Sequence, residues 1–219
     1  MHGLLGPGAL LQFVIRAVVV LIVIPFHEAA HALASDLLGD PTAKYAGRLS
    51  LNPLHHFDLL GTLCMILGGI GWAKPVGINP ARFRNPKVGM ALSAAAGPAA
   101  NLLLAWGSTV LYKLVYYSLT GSAANVLLQF LWYMISMNIS LAVFNLLPVP
   151  PFDGSRIALL FLPQKAYFKA MRYEQFIMFG VFALVLLGVL DAPLSIAVNA
   201  VWRGMLQLTG FVELLLFGV

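Results

Sequence analysis

An apolar run from about Ala9 to Leu38 constrains this chain more than any other feature: Val18 to Ile24 is unbroken aliphatic sequence, and the run stops only at Gly39-Asp40-Pro41. A helix of about 29 residues rises about 43 Å, which exceeds the roughly 30 Å hydrocarbon core of a bilayer. The run is too long for a signal peptide and no small-residue cleavage site follows a short apolar core, so a helix retained in the membrane is expected. Composition extends the expectation to the whole chain. Of 219 residues, 60% are hydrophobic and 10% charged, against about 25% charged in soluble domains, and the mean hydropathy is +0.88. Five or six spans of about 20 residues fit; a sizeable extramembrane domain does not. Thirteen Lys and Arg against eight Asp and Glu give +5, which in such a chain reports cytoplasmic loops and not a nucleic-acid partner. The single Cys64 excludes an internal disulfide and a multi-cysteine metal site, leaving histidines and carboxylates as metal ligands.

Hydropathy and breakers divide the rest. Residues 39–57 are polar, with a short surface hairpin expected near 45–52. Residues 59–72 are apolar and glycine-rich, but about 15 residues reach only about 22 Å, so this segment is expected to be re-entrant or interfacial. A basic loop follows, then spans over 88–117 and 123–147, a basic stretch between Pro148 and Glu174, and two final spans, Phe176–Leu190 and Leu194–Phe217, joined at Asp191-Ala192-Pro193. The fold class is an all-α polytopic membrane protein of about five full transmembrane helices, in one domain over 1–219 with its core in 9–38, 88–117 and 123–154 and a C-terminal helical hairpin in 174–217.

The chemistry concentrates near the end of the first span, where the chain reads His27-Glu28-Ala29-Ala30-His31. Two histidines four apart share one helical face and can hold one zinc ion, with the intervening glutamate able to deprotonate water. Chance would produce the pattern in on the order of one in several hundred chains of this composition. An ionisable cluster inside an apolar helix is costly and needs a metal, water or ion pair as partner. The alternatives are a hydrogen-bonded polar knot between helices and a transit site in a metal or proton transporter. A catalytic zinc site commonly takes a third protein ligand, for which Asp153, His55, His56, Asp58 and His2 are available. Asp153 is favoured, because Asn145-Leu146-Leu147-Pro148-Val149-Pro150-Pro151-Phe152-Asp153-Gly154 breaks a span with prolines that cannot continue a helix.

These segments, together with Ala96-Gly97-Pro98-Ala99-Ala100-Asn101, resemble the site-2 protease family of intramembrane zinc metalloproteases. Gly47-Arg48-Leu49-Ser50-Leu51-Asn52-Pro53 and Gly71-Trp72-Ala73-Lys74-Pro75-Val76 are similar to its compact prokaryotic branch, without PDZ or CBS modules. The resemblance implies His27, His31 and Asp153 as ligands of one zinc per chain, Glu28 as general base, and Asn145 near the substrate or reaction intermediate. His56 and Asp58 are candidates for supporting the metal ligands or anchoring a lid.

If His31 and Asp153 share one ion, the span ends that carry them lie at the same membrane face. The crossings at 88–117 and 123–147 then suffice, and 59–72 does not cross. Ten Lys and Arg residues, from Lys44 to Arg172, fall on that face, which the positive-inside rule reads as cytoplasmic. The expected function is hydrolysis of a peptide bond in or near a transmembrane helix of a membrane-protein substrate, in the prokaryotic inner (cell) membrane. The sequence does not fix the oligomeric state.

Overall fold

The computed structural model of the chain describes residues 8–58, 74 and 76–218. In chain order the helices are α1 (Ala9–Leu37), α2 (Thr42–Tyr45), α3 (Pro86–Ser118), α4 (Ser122–Asn145), α5 (Asp153–Leu159), α6 (Gln164–Arg172), α7 (Glu174–Leu186), α8 (Asp191–Leu208) and α9 (Phe211–Phe217), with single 3₁₀ turns at Pro53–His55 and Pro80–Arg82. Among the described residues there is no β-strand. Among these residues, four helical stretches are long and apolar enough to cross a membrane: Ala9–Leu37, Pro86–Ser118, Ser122–Asn145 and Asp191–Phe217, the last comprising α8 and α9.

Asn-Pro pairs start three of the elements. The Asn52, Asn79 and Asn85 side chains accept hydrogen bonds from the Leu54, Ala81 and Val88 amides, while the following proline occupies the first turn, where its missing N–H costs nothing. Helix α3 is the centre of the bundle and packs against α1 and α4. Its buried face, Gly89, Ala91, Ser93, Ala94, Gly97 and Pro98, is made of small residues, which let helix backbones approach closely in lipid. Larger side chains fill in further along. Ile15, Val19 and Val23 of α1 pack with Met134 of α4, and Ala105 of α3 packs with Ile135, Ile139 and Met205.

Two expectations change. The segment near 45–52 forms no hairpin: Thr42–Tyr45 is a helical turn, and the loop carbonyls that strand pairing would have satisfied are taken by side chains. Arg48 donates to the His55 carbonyl, His55 Nδ1 lies 3.1 Å from the Gly47 carbonyl, and His56 Nε2 lies 2.6 Å from that of Ser50. The span placed at Phe176–Leu190 is shorter. Helix α7 has 13 residues, or about 20 Å, because Gly188 at φ +70° closes it. The amides of Leu187, Gly188 and Val189 cap the carbonyls of Ala183, Val185 and Leu184. Among the described residues, full-length spans therefore number four, with a shorter apolar fifth helix.

The segment 59–72 lies outside the described residues, but its flanks meet: the Lys74 amide donates to the His56 carbonyl at 2.8 Å. Asp40, fully buried, fastens the same end of the bundle. It accepts from the Asn79 amide at 2.6 Å and the Thr42 amide at 3.1 Å, takes the Thr42 hydroxyl, and lies 3.9 Å from Arg82. Burial pushes the Asp40 carboxyl up, but these donors and the guanidinium outweigh it and hold the group below the usual carboxylate range.

Candidate metal centre

The sequence delivers the first two donors through helix periodicity alone, since His27 and His31 sit one turn apart on the buried face of α1. Their Nε2 atoms are 3.0 Å apart. Room for both imidazoles comes from Gly97 of α3: a Cβ there would stand 2.3 Å from His31 Nε2 and 2.6 Å from His27 Cε1. The third donor arrives from distant sequence. After α4 ends, the proline-rich loop 146–152 folds back so that Asp153, the first residue of α5, places Oδ2 3.3 Å from His27 Nε2 and 3.2 Å from His31 Nε2. Gly154 makes this fold-back possible, because a Cβ at that position would lie 2.2 Å from the Leu146 carbonyl oxygen.

These residues fit a zinc ion. His31 Nδ1 donates to the Ser93 carbonyl at 2.7 Å, which leaves Nε2 of the neutral ring as a lone pair directed at the cluster. Two imidazole nitrogens and a carboxylate oxygen within 3.3 Å of one another repel unless a cation or proton lies among them. Asp153 Oδ2 is buried and makes no hydrogen bond of proper geometry. Zinc at about 2.0–2.1 Å from nitrogen and oxygen separates the corners of its tetrahedron by about 3.4 Å, close to the observed triangle. Among the described residues, His27, His31 and Asp153 are the set whose ligand atoms converge in this way.

Glu28 is half-buried beside His27 and makes no hydrogen bond among the described residues. With His27, it lines a cleft of about 980 Å³ bounded by α1, α4, the Pro151-Phe152 loop and α7. Asn145, the last residue of α4, lines the same cleft, and its Nδ2 donates to the Leu141 carbonyl at 3.1 Å. The expected supporting residues His56 and Asp58 are not among the converging donor atoms. His56 is fully buried in the 47–56 loop, with Nε2 on Ser50, and Asp58 is half-buried just beyond it. His2 lies outside the described residues. Sequence reasoning did not anticipate the Ser93 carbonyl, and no signal could have revealed it, because a backbone acceptor is independent of residue type. Gly97, part of the Ala96-Gly97-Pro98-Ala99-Ala100-Asn101 segment, proves to be the seat of both imidazoles.

Comparison with known proteins agrees with this geometry. The model for Peptidase family M50 matches residues 113–188, a stretch that contains Asn145 and Asp153. The chain is 40% identical over 167 residues to "Putative zinc metalloprotease YwhC" of Bacillus subtilis (strain 168), covering 74% of this chain and 76% of that protein. It is 32% identical over 133 residues to "Putative zinc metalloprotease Rip2" of Mycolicibacterium smegmatis (strain ATCC 700084 / mc(2)155), covering 58% of this chain and 49% of the relative. No solved structure matches the chain. With a relative this similar aligned over three quarters of both chains, and a cluster of donors that could hold a metal ion seated among spanning helices, the chain belongs to peptidase family M50, the site-2 proteases, and is a multi-pass membrane zinc metalloprotease.

Proposed function

We propose that the protein hydrolyses a peptide bond in or beside a transmembrane helix of a membrane-protein substrate, with His27, His31 and Asp153 holding one zinc ion. The observation that carries this reading is the position of the cleft. His27 of the cluster and Glu28 open onto a cavity walled by the spanning helices α1 and α4 and the apolar helix α7, so a peptide reaches them from within the depth of the bilayer. One catalytic domain over 1–219 accounts for the arrangement, with α1, α3, α4 and the Asp153 loop as its core.

A zinc ion bound by these donors supplies a Lewis acid that polarises the scissile carbonyl and activates water. The protein's own groups do the rest. Glu28 takes a proton from the attacking water as its oxygen bonds to the carbonyl carbon, then returns it to the amine nitrogen as the C–N bond breaks. Asn145 has one amide N–H on Leu141, leaving its second N–H and Oδ1 to hold substrate backbone. The Ser93 carbonyl and Gly97 fix the imidazoles so that no reorganisation is needed during the reaction.

Lys44, Arg48, Lys74, Arg82, Arg84, Arg156, Lys169 and Arg172 belong to the loops and short helices that adjoin the cluster end of the bundle, and Lys87 lies in the first turn of α3 at the same end. By the positive-inside rule this end faces the cytoplasm of a prokaryotic cell membrane. The decisive variant is Glu28→Gln. It should retain zinc and lose turnover by about 10²–10⁴-fold, and membranes from cells carrying it should accumulate uncut substrate. Cleavage at the wild-type rate would overturn the reading, and a transport activity unaffected by the substitution would support a transit site instead.

A further inference from the structure

A second charged group lies in the cleft, at the other end of its α1 wall. Arg16 lines the same cavity as His27 and Glu28, in the apolar helix α1, where an ionised side chain requires a partner. Tyr133 of α4 holds it: Arg16 Nη2 donates to the Tyr133 hydroxyl at 2.9 Å, and the guanidinium carbon lies 4.8 Å from the centre of the ring. These contacts aim the guanidinium but do not neutralise it. A phenol is uncharged, only one of five N–H donors is used, and no described carboxylate lies within ion-pair distance of Arg16. The remaining described lining is uncharged apart from Glu28 and the His27 imidazole, with the hydroxyls of Ser136 and Ser140 on the α4 wall between the two ends.

We infer that Arg16 is a carboxylate-binding subsite, which recognises an acidic side chain or the terminal carboxylate of the membrane-embedded peptide that occupies the cleft. The inference rests on the proteolytic reading and adds to it a substrate feature at a fixed distance. Twelve residues of α1 separate Arg16 from Glu28, about 18 Å of helix rise. An extended peptide covers that distance in about five or six residues and a helical one in about twelve. A lipid phosphate could satisfy the same guanidinium, but the continuous cavity joining Arg16 to the zinc donors favours the peptide.

The test uses the zinc-loaded full chain in phosphatidylcholine nanodiscs and a fluorescent Leu/Ala peptide of roughly 20 residues, with one Asp moved stepwise along it and matched Asn controls. Binding is read with Glu28→Gln and the cut site, by mass spectrometry, with Glu28 intact. At the favoured position Asp should bind about tenfold or more tightly than Asn. Arg16→Gln should abolish the preference, Arg16→Lys should keep part of it, zinc content should not change, and the cut should follow the Asp at a constant spacing. Equal affinity for Asp and Asn, a preference that survives Arg16→Gln, or a cut site indifferent to the Asp overturns the subsite while leaving proteolysis intact. Loss of the preference on adding about 30% phosphatidylglycerol assigns Arg16 to lipid phosphate and also overturns it. A chain that neither binds nor cuts any of the peptides defeats the proteolytic reading itself.

Discussion

The end of the bundle that carries the zinc donors and the C-terminal quarter of the chain are both apolar helix, yet they are built on opposite terms. At the donor end, α3 meets α1 so closely that Gly97 has no space for a methyl group, and Gly154 of α5 has none against the Leu146-Leu147 backbone. In the C-terminal quarter, α7 buries only Val181 among its described residues and leaves Phe176, Phe179 and Leu186 exposed, as suits lipid contact. That region is fastened at separate points. Arg156 holds Glu174 through both carboxylate oxygens at 2.9 and 3.1 Å, Trp202 packs edge-on against Trp132, and Lys113 reaches Glu213 at 2.8 Å. Close packing holds the three donor atoms within 3.3 Å of one another, and discrete fastenings suffice for a region of which only α7 lines the cleft.

The contrast is broken most severely at Gly97. Gly97→Leu drives a side chain into both imidazoles and should lower zinc affinity by about a hundredfold or more, measured as metal content after dialysis against a chelator series. Gly107→Leu on the same helix, where an added Cβ meets nothing within 4 Å, should leave zinc in place. Next comes a pair of alanine substitutions. Gly154→Ala meets backbone that cannot yield and should destabilise by about 1–3 kcal/mol while displacing Asp153 and reducing turnover. Gly180→Ala in α7 meets open space and should stabilise by about 0.5–1 kcal/mol through helix propensity alone. Similar effects from the two would erase the distinction.

Much of the donor end was legible because each residue there contradicts its surroundings. A His-Glu-x-x-His set inside a lipid-facing run demands a partner, and three prolines after a span demand irregular backbone. The C-terminal quarter offered hydropathy alone. In lipid, the buried and exposed faces of a helix are both apolar, so periodicity does not reveal which side packs, and the early end of α7 depended on a capping arrangement around Gly188 that hydropathy overran. The hairpin expected at 45–52 is replaced by a loop in which His55 and His56 take the Gly47 and Ser50 carbonyls and Arg48 takes that of His55, contacts between side chain and backbone that hydropathy does not reveal. Arg16 is a lone cation in the apolar run of α1, and only the fold shows that it shares a cavity with Glu28.

A smaller effect sharpens the comparison from the loop side. The Asp40 carboxyl titrates below its unfolded value, so its contribution to stability is present above the unfolded carboxylate pKa of about 3.9 and is lost as pH falls through the lower folded value. Asp40→Asn should therefore lower the melting temperature at neutral pH and flatten its decline below about pH 4, with zinc retained at neutral pH. An unchanged acid limb in the variant would show that the Asn79 and Thr42 contacts do not fasten this end.

Zinc stoichiometry in purified protein tests the central claim most directly. The wild-type chain and Glu28→Gln should each carry one zinc per chain by elemental analysis, and His27→Ala, His31→Ala and Asp153→Ala should each carry far less while remaining folded by circular dichroism. Full zinc in Asp153→Ala, or none in folded wild type, would contradict the account.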